Sequence, residues 1–267
     1  MPTPQAERTI EATEAVDFQG NALRCETCPN HAAGPQLRCE LGRSCVQDRY
    51  AQRIDRFFRQ NPSQGDRWLG HPYFEVRAIA ARFASVFRLP ALIEDPDETV
   101  RMSVAMRLPQ RLLRRLISDP DREVRIRVAA RLSPPQLVPL CRDPDYYVRI
   151  LAARRVPLPV LLRMTEDPER EVRLEVARRI GTGALGLLAR DCEVAVRRVV
   201  ASRAHAALLA SLVRDEAWEV RWEVAQRADE RVARALLADP EPEVRLAAEE
   251  RLRALQESPD DPSAQRP

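Results

Sequence analysis

Residues 119–142 read DPDREVRIRVAARLSPPQLVPLCR, and at residue 143 the chain begins again on DPDYYVR. The pairs Asp95-Pro96, Asp119-Pro120, Asp143-Pro144, Asp167-Pro168 and Asp239-Pro240 all lie at multiples of 24 residues. Asp191 and Asp215 fill the same slot without proline, and His71-Pro72 fills it without aspartate. With the Asp slot as position 1, position 6 is Val and position 7 is Arg in all eight copies, from Val76-Arg77 to Val244-Arg245. Position 11 is Ala in seven of the eight, and positions 19 and 22 are each Leu in six of the seven complete copies. One register held over eight copies without an insertion is the signature of a solenoid.

Each copy has a physical reading. Asp at position 1 is a good helix N-cap, and Pro at position 2 suits the first helical turn, where a missing N–H costs nothing. Positions 6, 10 and 14 are almost always Val, Ala, Leu or Ile, an i, i+4, i+8 stripe that predicts an α-helix of about three turns. Prolines and glycines near positions 15–18, such as Ser133-Pro134-Pro135 and Gly181-Thr182-Gly183, then break it. The six to eight residues that follow are too few for an independent α-helix. A 3₁₀ turn, with three residues per turn, would put their two leucines on one edge. No strand-forming L-x-x-L-x-L run is present, and 24 residues are too few for HEAT or armadillo units. The expected fold is all-α: long and short helices alternating in a superhelical stack without a sheet, over residues 71–256. Glu249 and Glu250 give the last helix a polar cap, and 257–267 reads as a disordered tail.

The arginine at position 7 falls inside the apolar sector of its helix, so its charge has to be paired. An acid at position 3, one turn upstream, is one candidate partner, and the position 1 Asp of a neighbouring copy is another. Position 13 carries Arg107, Arg131, Arg155, Arg179, Arg203, Arg227 and Arg251. Turned outward, these would form a basic stripe, which is the one feature here that suggests nucleic acid as a partner. The field behind it is small: 43 arginines and no lysine stand against 40 acids, for a net charge of +3, and aromatics for base stacking make up only 5 %.

Composition excludes more than it selects. Hydrophobic residues are 45 % and charged residues 31 %, the balance of a folded soluble chain. No apolar run approaches the roughly 18 residues of a membrane span. The N-terminal stretch is acidic with no apolar core segment, unlike a secretory signal, which points to the cytoplasm. His31, His71 and His205 are far apart, and there is no phosphate loop or nucleophile elbow, so no catalytic residue is nominated and no enzyme is expected. Cys141 takes a slot filled by residues such as Ile, Val or Thr elsewhere, which suits a small core hydrophobe, and Cys192 replaces a repeat proline.

The remaining four cysteines crowd into residues 25–45 as Cys25-x2-Cys28-x10-Cys39-x5-Cys45. In a reducing compartment clustered thiols hold metal more often than they form disulfides. The opening CxxC lets two thiolates meet one centre from a single turn. Zinc sites are usually closed by a second short knuckle, which x5 does not make, although His31 offers an alternate ligand. An iron–sulfur cube also takes four thiolates and tolerates the irregular second pair, and Cys28-Pro29 matches the C-P that often follows a cluster ligand. Iron–sulfur, zinc and paired disulfides remain open on the residues alone, in that order of fit.

With the D-P-D/E-x-E-V-R repeat eight times over and four clustered cysteines ahead of it, the chain resembles the leucine-rich repeat variant proteins. The resemblance implies a right-handed superhelix of alternating α and 3₁₀ helices behind a small N-terminal [4Fe–4S] domain, here residues 1–70. It implies Cys25, Cys28, Cys39 and Cys45 as the ligands, an association with nitrogen-fixing bacteria, and no established catalytic activity. The functional expectation is a redox-active head on an interaction scaffold, serving electron transfer or redox-dependent binding of a protein partner. The alternative is a nucleic-acid-binding repeat protein with a structural iron–sulfur or zinc site.

Overall fold

The computed structural model describes residues 15–30 and 37–257. Its contacts divide the chain into two compact units, one ending at Leu132 and the other beginning at Ser133. Of the expected tail 257–267, Glu257 instead ends the last helix, and the residues beyond it lie outside the described residues. Within those residues regular structure is helical, and the only extended pairings are two isolated bridges, Val16 with Ala22 and Glu40 with Ser44.

Among its described residues the first unit opens with a turn-rich stretch that includes a 3₁₀ turn at Cys25–Thr27. Long helices follow at Ala51–Gln60, Phe74–Ala81, Glu98–Ala105 and Arg122–Arg131. Between them lie short ones: 3₁₀ at Pro62–Trp68 and Leu89–Leu92, and Gln110–Leu113 running into a 3₁₀ turn at Arg114–Leu116. The second unit repeats the alternation. Its long helices are Tyr146–Ala153, Arg170–Arg179, Val194–Arg203, Trp218–Arg227 and the 16-residue Pro242–Glu257.

The short segments fulfil the 3₁₀ expectation at Pro134–Arg142 and Thr182–Leu188, which contain Pro139 and Gly186. The last two do not. Ala206–Leu212 and Glu230–Leu236 are α-helical. Both lack internal Pro and Gly and are rich in alanine, the strongest helix former, and Asp229 caps the second through the Val232 N–H at 2.8 Å.

Burial follows the stripe. Val124, Val128, Ala129 and Leu132 are each 0 % exposed. At roughly 1.5–3 kcal/mol for a fully buried Val or Leu, such layers hold one copy on the next.

The helix starts are shifted from expectation. The N-cap is position 3, not position 1: Asp121 accepts the Glu123 and Val124 N–H groups, and Asp145 those of Tyr147 and Val148. Position 1 is free for another task. Nε and Nη2 of Arg101 donate to Oδ2 and Oδ1 of Asp119 at 2.8 and 2.9 Å, while its Nη1 donates to the Asp95 and Pro96 carbonyls at 2.8 and 3.1 Å. Arg77–Asp95 in the first unit, and Arg173–Asp191, Arg197–Asp215 and Arg221–Asp239 in the second, repeat this bidentate pair. Of the two candidate partners, the Asp of the following copy is the one used. A planar fork meeting a carboxylate edge-on is the strongest such geometry.

The outward basic stripe is corrected by the structure. Arg107 donates to the Ala81 and Ala84 carbonyls, Arg131 to Ala105, Arg179 to Ala153 and Val156, and Arg203 to Ala177 and Ile180. Arg227 and Arg251 turn the same way, to Ala201 and Ala228. Each cation closes the orphan carbonyls at the C-terminal end of the preceding long helix, where the helix dipole favours positive charge.

Candidate metal centre

A further repeat lies upstream of the eight that share a register. Asp48 Oδ1 accepts the Tyr50 N–H at 2.9 Å, as Asp95 accepts that of Asp97 at 3.0 Å. The helix Ala51–Gln60 then starts three residues after the Asp, as Glu98–Ala105 does. This copy is one residue short, and it carries Ile54 where the others carry the ladder arginine. Its fully buried Asp48 is paired instead with Arg53 of its own helix, at 2.8 Å. Gly65 sits where a leucine would be, because a Cβ there would come within 2.5 Å of the Ala84 nitrogen. Ile54, Phe57, Phe58, Trp68 and Val76 share one core with Val46, so the cysteine segment is packed onto the first repeats.

All four clustered cysteines line a single cavity of about 330 Å³, with Leu41, Val46 and Asn30 among its walls. Cys25 and Cys28 come from one tight turn, closed by the Cys28 N–H on the Cys25 carbonyl at 3.1 Å. Gly42, at φ 74°, makes the turn between Cys39 and Cys45, a left-handed conformation that suits glycine. The Cys45 N–H donates to the Arg53 carbonyl at 3.3 Å, and Ser44 Oγ donates to Gln60 Oε1 at 2.9 Å, so this end of the loop rests on the helix Ala51–Gln60. Cys25 and Cys39 are exposed, and Cys28 and Cys45 half-buried.

Burial pushes the Cys45 thiol up to about 11, against hydrogen bonds from the Gln47 and Asp48 amides that favour the thiolate. Cys39 is raised too, first by burial and then by the nearby Cys25 and Cys28. Four neighbouring thiolates therefore need a cationic centre among them, and a bound metal deprotonates its thiols outright. The donor set fits such a group: four cysteines line a space far larger than the ~10–15 Å³ that a single water requires. Among the described residues no three His, Cys, Asp or Glu side chains are gathered tightly enough to hold a lone metal ion. The alternate ligand His31 lies outside the described residues, and the cysteines are free thiols.

The two distant cysteines stand apart. Cys141 is half-buried, with its thiol pushed up to about 11 by burial, as suits a small core residue. Cys192 is exposed, and the Arg173 guanidinium donates to its sulfur at 3.4 Å, a cationic neighbour that its sequence position does not reveal.

A solved structure described as a leucine-rich repeat variant with a novel repetitive protein structural motif superposes with a TM-score of 0.79 at 42 % identity, covering 86 % of this chain and 99 % of that one. The chain belongs to the leucine-rich repeat variant family. Residues 15–67 of this variant match the family described as LRV protein FeS4 cluster. A curated relative, an uncharacterized 27.7 kDa protein in the nifB 3′ region of Rhodobacter capsulatus, is 52 % identical over 99 residues, or 37 % of this chain. The match spans only 40 % of that relative's length. The variant thus joins an iron–sulfur cluster domain to a helical repeat. No helix among its described residues is long and apolar enough to cross a membrane.

Proposed function

We propose that this chain is a non-enzymatic iron–sulfur protein in which Cys25, Cys28, Cys39 and Cys45 hold a [4Fe–4S] cluster, and that the repeats dock a protein partner. The observation that carries this reading is the single cavity that all four clustered cysteines line. Such a cluster supplies one-electron chemistry when bound. The chain's own part is to present the thiolates, aim the Gln47 and Asp48 amides at the Cys45 sulfur, and leave Cys25 and Cys39 near the surface, where a redox partner can approach. That arrangement supports electron transfer or redox-dependent binding, and clustered free thiols suit a reducing cytoplasm. The relative named for the nifB region supports a nitrogen-fixation setting. The nucleic-acid alternative loses its carrier, because Arg107, Arg131, Arg179, Arg203, Arg227 and Arg251 are engaged with backbone carbonyls.

Reductive titration under anaerobic conditions tests the redox role. The visible band should bleach with reductant and return with oxidant, with a paramagnetic signal in the reduced state. A band indifferent to both reagents would contradict it.

A further inference from the structure

We infer that Asn61 is a positioning residue for Cys39, an assignment that rests on the cluster-binding reading above. Asn61 closes the helix Ala51–Gln60, its N–H on the Phe57 carbonyl at 2.9 Å, as the Leu108 N–H closes on Val104 at 3.0 Å. In repeat terms it therefore stands at position 14, which holds the buried apolar residues Ala84, Leu108 and Leu132 in the copies that follow it in the first unit. An amide at this slot, only 5 % exposed, is out of keeping with the array's own packing.

Its hydrogen bonds supply the reason. Asn61 Oδ1 accepts the Arg38 N–H at 2.9 Å, and Nδ2 donates to the Arg38 carbonyl at 2.8 Å and to the Phe57 carbonyl at 2.8 Å. The side chain takes both polar groups of one residue's backbone, 23 positions away, as a neighbouring strand would. Arg38 directly precedes Cys39, so the clamp fixes the backbone from which that thiol projects. The other end of the same helix holds Cys45, through its N–H on the Arg53 carbonyl. One helix thus sets the separation of the two cysteines whose x5 spacing no single knuckle makes.

The test replaces Asn61 with the residue the array itself uses. In Asn61→Leu the helical ellipticity and its thermal midpoint should hold, while iron passes to a chelator about 10–100-fold faster than in the parent, the usual cost of losing an outer-shell partner. Asn61→Asp, isosteric but without the two N–H donations, should also lose iron faster. Arg59→Ala, an exposed change at the same helix end, should match the parent. Equal half-times in Asn61→Leu and an iron-loaded parent would overturn the assignment, as would loss of the helical signal together with the iron. A parent that never takes up iron would instead remove the reading beneath it.

Discussion

Arg149 and Asp167, eighteen residues apart, meet through two parallel hydrogen bonds of 2.8 and 3.0 Å, with the third nitrogen of the fork on the Asp143 carbonyl at 2.8 Å. Their side chains are 10 % and 6 % exposed, so neither charge can fall back on water. Asp167→Ala should therefore cost about 3–5 kcal/mol, the range for stranding one member of a buried pair. Arg149→Lys should recover little, since a lysine cannot make the fork. Urea unfolding followed by circular dichroism measures both. A loss within the ~0–1 kcal/mol of a surface pair would show the ladder to be ornamental.

The same pairing gives the array an acid limit. Burial raises Asp191 and Asp239, but hydrogen bonds from Arg173 or Arg221 and from the Glu193 or Glu241 amide outweigh it, leaving both below the ordinary 3.8. A depressed folded value means stability that is complete above the unfolded value and is lost as pH falls through the folded one. The urea midpoint should hold from pH ~7 to ~5 and drop below about 4. Asp191→Asn should be weaker at neutral pH and lose less on acidification. An identical acid slope in parent and variant would contradict the assignment.

Arg203 closes two carbonyls of the preceding copy, those of Ala177 and Ile180. Arg203→Ala should cost about 1–3 kcal/mol, the penalty for orphaning a buried polar group. Because this arginine set is occupied, the parent should show no DNA affinity that falls steeply with salt. Gel-shift titration at low ionic strength checks this, and tight low-salt binding would restore the basic stripe.

Removing one sulfur should separate head from array. Cys25→Ser takes one thiol from the tight turn while leaving the helix Ala51–Gln60 untouched. The cofactor should be released with the far-ultraviolet helical signal nearly unchanged. Coupled loss of both would mean that the centre holds the first repeats folded.

The repeat was legible because Val-Arg holds one register through eight copies, and the thiols because four of six cysteines fall in residues 25–45. The copy at Asp48 is hidden in the sequence: one missing residue and Ile54 in place of arginine break the pattern, and an Asp three residues before an amphipathic run is its one usable signal. The helix start is ambiguous in sequence because Asp occupies both position 1 and position 3 in copies such as Asp119-Pro120-Asp121, and only the pairing with Arg101 shows which one is left to cap. Nothing in the sequence around Asn61 marks its amide as facing Arg38, since that contact spans 23 residues and leaves no periodic trace.

The most direct measurement is iron, acid-labile sulfide and zinc per chain after anaerobic purification. Near four irons and four sulfides with little zinc is the expected result. Stoichiometric zinc without iron, or a metal-free chain with the same fold around Cys25, Cys28, Cys39 and Cys45, would contradict it.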